Sequence, residues 1–150
     1  MSLDDWVGQN RLRSHRTSAS EIRDLLAVAD LALQDAAVPG LSYDRRFGAA
    51  YDAVRSLATA ALACRGYSPT GMGQHATVFE ALPEVLGEKA LTWSQYFGTC
   101  RIKRNTSEYR RAYTVTEAEA EELLEKARDL QAWVGGWINE RHPEFAPRET

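Results

Sequence analysis

Residues 42–65 read SYDRRFGAAYDAVRSLATAALACR, and this stretch decides the fold class. Its apolar side chains recur at offsets of three and four, the spacing of one face of an α-helix. They are Phe47, Ala50, Tyr51, Val54, Leu57, Ala58, Ala61 and Leu62. Gly66 follows at once and tolerates the backbone geometry of a helix end. The stretch therefore predicts a helix of roughly six turns with one apolar face.

The same spacing continues on both sides of this stretch. We expect one helix over 18–38, a short one over 74–86 that bends or restarts at Pro83, and long ones over 92–111 and 116–141. Three of these starts have capping-box spacing, at Ser18, Thr92 and Thr116. No stretch shows sustained alternation rich in valine, isoleucine and threonine. The sequence predicts an all-α, up-and-down bundle of four long helices plus one short helix.

The predicted helices occupy residues 18–141, which we expect to form a single domain of ordinary size. Residues 1–17 are polar and arginine-rich and are predicted to be a flexible arm. Residues 142–150 follow the last helix and are predicted to be a frayed tail. No run approaches the ~18 apolar residues that a bilayer requires, and the first residues lack a signal-peptide core. We therefore expect a cytoplasmic protein with no membrane partner.

The charge of the chain is segregated along the sequence. The chain has 18 basic and 21 acidic side chains, which gives a net charge of −3. This charge argues against a protein whose whole surface is basic. Residues 101–111 nevertheless hold five basic side chains against one acidic, and residues 117–129 hold six acidic against two basic. The basic ones are Arg101, Lys103, Arg104, Arg110 and Arg111. Either the two segments pair across a helix contact, or the basic one is free to bind phosphate.

Few residues suggest a metal site or a nucleophile. Cys64 and Cys100 lie far apart with no CxxC pair, so neither zinc nor a disulfide is indicated, and we expect no metal and no cofactor. The chain has neither a Gly-x-Ser-x-Gly elbow nor a P-loop. His75 falls in the first turn of the short helix. It either hydrogen-bonds a neighbouring loop or faces a ligand.

Five segments carry a recognisable pattern in this order: DLLAVADLAL, RFGAAYDAVRSLATAALACRGYSP, HATVF, RIKRNTSEYRRAY and TEAEAEELLEKARDLQAWV. Together they span roughly residues 18–140 and resemble the HEPN family, small helical bundles named for nucleotide binding in higher eukaryotes and prokaryotes. The resemblance implies a HEPN-like bundle that forms a homodimer. It also implies a toxin-antitoxin or defence system in which a small nucleotidyltransferase is the partner. A bacterial origin agrees with the excess of arginine over lysine.

Catalytic members of that family are RNases whose motif is an arginine, then a polar residue, then a histidine that is separated from the arginine by four to six residues. Here Arg104 matches the arginine and Asn105 the polar residue, whereas Tyr109 stands at the first position for the histidine. A tyrosine, with a pKa near ~10, is a poor general base at neutral pH. The chain therefore resembles a branch that lacks the histidine of the RNase motif. The sequence does not decide whether the protein is an enzyme, and the missing histidine argues against catalysis.

Three functions follow from these observations. The first is a non-catalytic or weakly active homodimer that binds RNA, a nucleotide or a partner protein. The second is a metal-independent endoribonuclease that uses Arg104, Asn105 and Tyr109. The third is a protein-interaction scaffold whose arginines only hold the bundle together. The residues predicted to bind RNA or a nucleotide are Arg101, Lys103, Arg104, Arg110, Arg111 and His75.

Overall fold

The structure is a computed structural model that describes residues 2–109 and 114–147. For residues 106–109 it describes the backbone alone. It is mostly helical, as the sequence predicts, with one small antiparallel pair of strands. In chain order the elements are α1 (Leu3–Gly8), β1 (Leu12–Ser14), α2 (Ala19–Ala36), α3 (Tyr43–Cys64), β2 (Tyr67–Pro69), α4 (Gln74–Glu80), α5 (Leu82–Leu86), α6 (Leu91–Tyr109) and α7 (Glu117–Arg141). Short 3₁₀ turns occupy Glu88–Ala90 and Pro143–Phe145.

Helix α3 lies at the centre of the molecule and packs against α2, α6 and α7. Its C-terminal part is buried on every side, because Ala60 through Cys64 are all buried. A helix that is apolar all round belongs inside a core rather than on its surface. The small alanine side chains let neighbouring helices approach closely, since interaxial distance depends on the side chains at the contact. The part of the quoted stretch from Ala60 to Cys64 therefore lies in the interior of the fold.

The predicted capping residues are confirmed at two of the three helix starts. Ser18 accepts a hydrogen bond from the backbone of Glu21, and Thr116 forms a complete capping box with Glu119. At the third position the predicted start near Thr92 is confirmed and the cap is wrong: α6 begins at Leu91, directly after the 3₁₀ turn. That turn already leads the chain into helical geometry.

The N-terminal segment is packed against the core where the sequence predicts a flexible arm. Leu3, Trp6 and Leu12 are buried, and β1 pairs antiparallel with β2. The guanidinium of Arg11 lies 4.7 Å from the centre of the Trp6 ring, a cation–π contact. A six-residue helix and a three-residue strand are too short to show a periodic pattern in sequence, which explains the difference.

The C-terminal segment, described through residue 147, also contacts the core through Phe145 and Ala146. His142 lies against Trp137, with their ring centres 4.7 Å apart, and Phe145 is partly buried. The frayed tail predicted over 142–150 is thus packed at its beginning, and its last three residues lie outside the described part. Among the described residues, no helix is both long and apolar enough to cross a bilayer.

Candidate functional site

Arg104 points inward from α6 and joins that helix to α3. Its Nη2 lies 3.2 Å from Oδ1 of Asp52, and its guanidinium carbon lies 5.2 Å from the centre of the Tyr51 ring. The Arg104 side chain is only 16% exposed. A guanidinium that is mostly buried needs a carboxylate or the face of an aromatic ring beside it, and Arg104 has both.

His75, near the start of α4, lies between two side chains of α3. Its Nδ1 is 3.2 Å from the hydroxyl of Tyr51, and its Nε2 is 2.6 Å from Nη1 of Arg55. A guanidinium only donates hydrogen bonds, so Nε2 must be the acceptor. The ring proton is thereby assigned to Nδ1, which donates to the Tyr51 hydroxyl. The contact with Arg55 therefore requires a neutral imidazole.

The electrostatics of this pair agree with that assignment. Burial, followed by the positive charges of Arg55 and Arg104, lowers the pKa of His75 below its usual value. Burial also raises the pKa of Tyr51 to about 12, although the nearby arginines oppose the shift. Both side chains are consequently uncharged at neutral pH, and Asp52 is the acidic member of the group.

An open cleft of about 610 Å³ lies beside this group. It is walled by residues from β1, α2, α3, β2 with the turn that follows, and α4. Its lining includes Arg13, Leu25, Asp52, Arg55, Ser68 and His75. Within the described part of the chain, neither Arg13 nor Arg55 lies within ion-pair distance of a carboxylate. The cleft therefore carries two uncompensated positive charges.

The basic segment 101–111 is divided among several environments. Arg104 pairs with Asp52 of α3, whereas Lys103 pairs with Glu119 of the acidic helix α7 at 3.3 Å. Arg101 is half-buried, and its Nε has no hydrogen-bond partner among the described residues. The predicted binding residues Arg110 and Arg111 lie outside the described residues. Pairing with the acidic segment is thus seen at Lys103, whereas the ion pair described for Arg104 is with Asp52 of α3.

Two of the three residues of the RNase-like motif, Arg104 and Asn105, lie in different environments. Arg104 faces the core, and Asn105 is exposed. The backbone of α6 is an unbroken helix through Tyr109, whose side chain lies outside the described part. On such a helix, positions 104 and 109 are about 140° apart around the axis.

Sequence reasoning found two members of this group, His75 and Arg104, and missed the others. Asp52 and Arg55 had a signal, because these two charged residues, three apart, interrupt the otherwise uncharged stretch 47–64 beside Tyr51. Arg13 had none, since its place in the cleft depends on the pairing of β1 with β2.

Comparison with known proteins adds no assignment. No protein-family model matches the chain, and neither the curated proteins nor the solved structures gave a match. Among the described residues, no group of three or more histidine, cysteine, aspartate or glutamate side chains could hold a metal ion. The geometry of the cleft is therefore the main guide to function.

Proposed function

We propose that the protein is a HEPN-like module that binds RNA or a nucleotide and does not cut it. The observation that carries the proposal is the state of Arg55. Its guanidinium is fixed by a neutral imidazole rather than a carboxylate, at the wall of a cleft that Arg13 also lines. An arginine held in place but not neutralised is suited to bind the oxygens of a phosphate group.

Two features favour binding over cleavage. A general base needs a ring nitrogen that can accept a proton from the substrate, and both nitrogens of His75 already have partners. Arg104, which the RNase reading requires at the phosphate, is in an ion pair with Asp52. The endoribonuclease with Arg104, Asn105 and Tyr109 is therefore the second candidate, and a pure scaffold is the third.

The wider setting is proposed on the resemblance. The order of the four long helices α2, α3, α6 and α7, with short α4 between the second and third, supports a HEPN-like up-and-down bundle. A homodimer, a bacterial cytoplasmic location, a toxin-antitoxin role and a nucleotidyltransferase partner are proposed with it. Light scattering on the purified protein measures the oligomeric state directly, and a monomer would refute the homodimer.

The test is RNA binding by wild type and Arg55→Gln, followed by fluorescence anisotropy with a labelled single-stranded RNA. Losing a charge-assisted contact of about 1.5–3 kcal/mol should weaken binding roughly tenfold or more and reduce the salt slope by about one. The matched control is Arg128→Gln, which removes the same charge from an exposed position on α7. RNA that binds Arg55→Gln as tightly as it binds wild type would refute the proposed role of the cleft in RNA binding.

Cleavage is tested separately with the same proteins. Wild type and Arg104→Ala are incubated with a panel of RNAs in the presence of a chelator, and the products are separated on a gel. The binding proposal expects intact RNA with both. Cleavage by wild type that disappears in Arg104→Ala would instead establish the metal-independent endoribonuclease.

A further inference from the structure

We infer that the cleft beside His75 binds a small phosphate monoester whose organic part carries hydroxyl groups, a sugar phosphate either free or within a mononucleotide. This inference rests on the proposed function and narrows it from nucleic acid in general to one compact ligand. Four observations support it: the shape of the cleft, its charge, its acceptor at Asp52, and the positioning of Arg55.

The shape of the cleft suits a compact ligand. Its walls come from three helices, two short strands and the turn after β2, so it is concave rather than a strip along one helix. A volume of about 610 Å³ lies within the ~300–1,000 Å³ typical of small-molecule sites. An extended RNA would need a longer row of positive side chains to follow its backbone.

The charge of the cleft matches one phosphate monoester. Such a group carries about −1.5 to −2 charges at pH 7. Arg13 and Arg55 contribute two positive charges with no carboxylate partner in the described residues. The Ser68 hydroxyl and the Gln74 amide also line the cleft and can donate to phosphate oxygens. An internal phosphodiester, with a single negative charge, would leave one arginine uncompensated.

Asp52 explains why the organic part should carry hydroxyl groups. Its Oδ1 accepts from Arg104, whereas its Oδ2 accepts no hydrogen bond from any described residue. A carboxylate oxygen at a cleft wall repels phosphate and accepts hydrogen bonds from hydroxyl groups. Leu25, Val28 and Val78 form an apolar part of the lining against which a sugar or base can pack. The ligand therefore has its phosphate at the arginines and its hydroxyl groups near Asp52.

His75 acts as a positioning residue in this scheme. Its Nε2 holds one amino group of Arg55 at 2.6 Å, which leaves the other donors of the guanidinium for a ligand. Replacing it by alanine removes that restraint while leaving the charge of Arg55 in place. The effect on affinity should therefore be smaller than that of removing the arginine, and His75→Gln, whose side-chain oxygen can accept the same hydrogen bond, should restore part of it.

The experiment is isothermal titration of the full-length protein with adenosine 5′-monophosphate, ribose 5-phosphate, adenosine, inorganic phosphate and an RNA lacking terminal phosphates. We expect both monoesters to bind and adenosine to bind at least about tenfold more weakly, since it lacks the charge-assisted contacts. Binding of ribose 5-phosphate as tight as that of the mononucleotide identifies the sugar phosphate as the recognised part. Tighter binding of the mononucleotide shows that the base contributes as well.

Variants at the two arginines test whether the ligand binds in the cleft. Arg13→Gln and Arg55→Gln should each weaken monoester binding about tenfold or more, and Arg128→Gln should not. Because a variant could lose affinity by losing its fold, circular dichroism is recorded for each. Chemical-shift changes in the wild type at Ser68 and at the Gln74 side-chain amide give a second measure that needs no variant.

The outcomes separate this inference from the function on which it rests. If RNA binds in an Arg55-dependent way and neither monoester does, the inference fails and the proposed function stands. If nothing binds, both fail. Adenosine binding as tightly as its monophosphate, or monoester binding that is unchanged in Arg55→Gln, would overturn the inference alone.

Discussion

Arg55 and His75 form an unusual pair, because an arginine more often meets a carboxylate than an imidazole. The contact at 2.6 Å holds only while His75 is neutral, and burial with two neighbouring arginines lowers the pKa of His75 to favour that state. The pair keeps a positive charge fixed at the cleft without cancelling it. The same arrangement makes the site sensitive to protonation.

The stability of the protein should fall as the pH drops below the ordinary pKa of the His75 side chain. Its pKa is lowered in the folded state from 6.5, so the unfolded chain takes up a proton first. The contribution is therefore fully present above pH 6.5 and is lost as the pH falls through the folded value. Arg55, Arg101, Arg104, Tyr51 and Asp52 are the charged or titratable groups around this ring.

This pH dependence is measured by urea unfolding between about pH 7.5 and about pH 5. The range extends about one unit above the ordinary histidine pKa of ~6.5 and somewhat more than one unit below it. In His75→Gln the free energy of unfolding should depend less steeply on pH over the same range. The other two histidines are retained in this variant, so the difference from wild type reports on His75. An identical slope in wild type and His75→Gln would mean that another group is responsible.

The pair Arg104–Asp52 should stabilise the folded state modestly. Because the arginine is 16% and the aspartate 43% exposed, we expect a loss of about 1–2 kcal/mol for Arg104→Ala, between the values for surface and buried pairs. The same change made in an Asp52→Ala background should cost less. A double-mutant cycle by chemical unfolding gives the coupling, and no coupling would mean that the ion pair adds nothing to the stability of the folded state.

At the level of elements, sequence patterns predicted most helices because long amphipathic periods and capping residues are local signals. Ser18 and Thr116 mark real helix starts. Thr92 has the same spacing to a glutamine yet caps nothing, since the 3₁₀ turn before it has already started the helix. Spacing alone cannot distinguish these cases, because the geometry of the preceding residues decides which one is realised.

Replacement of the two threonines tests this difference. Thr116→Ala should destabilise the protein by about 1 kcal/mol and lower the Tm by roughly 2–4 °C, because the capping hydrogen bond to Glu119 is lost. Thr92→Ala, a matched change at another exposed helix start, should leave the Tm within about 1 °C. Thermal unfolding of both variants is the measurement. Equal losses would contradict the assignment of α6.

At the level of the whole molecule, the sequence predicted the helical core and missed what the N-terminal segment does. Packing of Leu3, Trp6 and Leu12 depends on contacts with parts of the chain far away in sequence, and no local pattern reports such contacts. The candidate site was half predicted for the same reason. His75 and Arg104 stand out locally, whereas Arg13 joins the cleft only through the pairing of distant strands.

Leu12→Ala distinguishes a packed N-terminal segment from a loose one. Leu12 is 2% exposed, so its truncation should cost about 2–4 kcal/mol in urea unfolding. Arg16→Ala, at an exposed position nearby, should cost less than about 0.5 kcal/mol. A cost as small for Leu12→Ala would return residues 1–17 to the flexible arm that their composition predicts.

The pairing of β1 with β2 also bears on how the cleft comes into being during synthesis. β1 leaves the ribosome before α2 and α3 have been made, and its partner strand emerges only after both. Arg13 therefore reaches the cleft late, once the central helix is already in place. Removal of residues 1–14 by a protease would take away the β1 wall of the cleft, with Arg13.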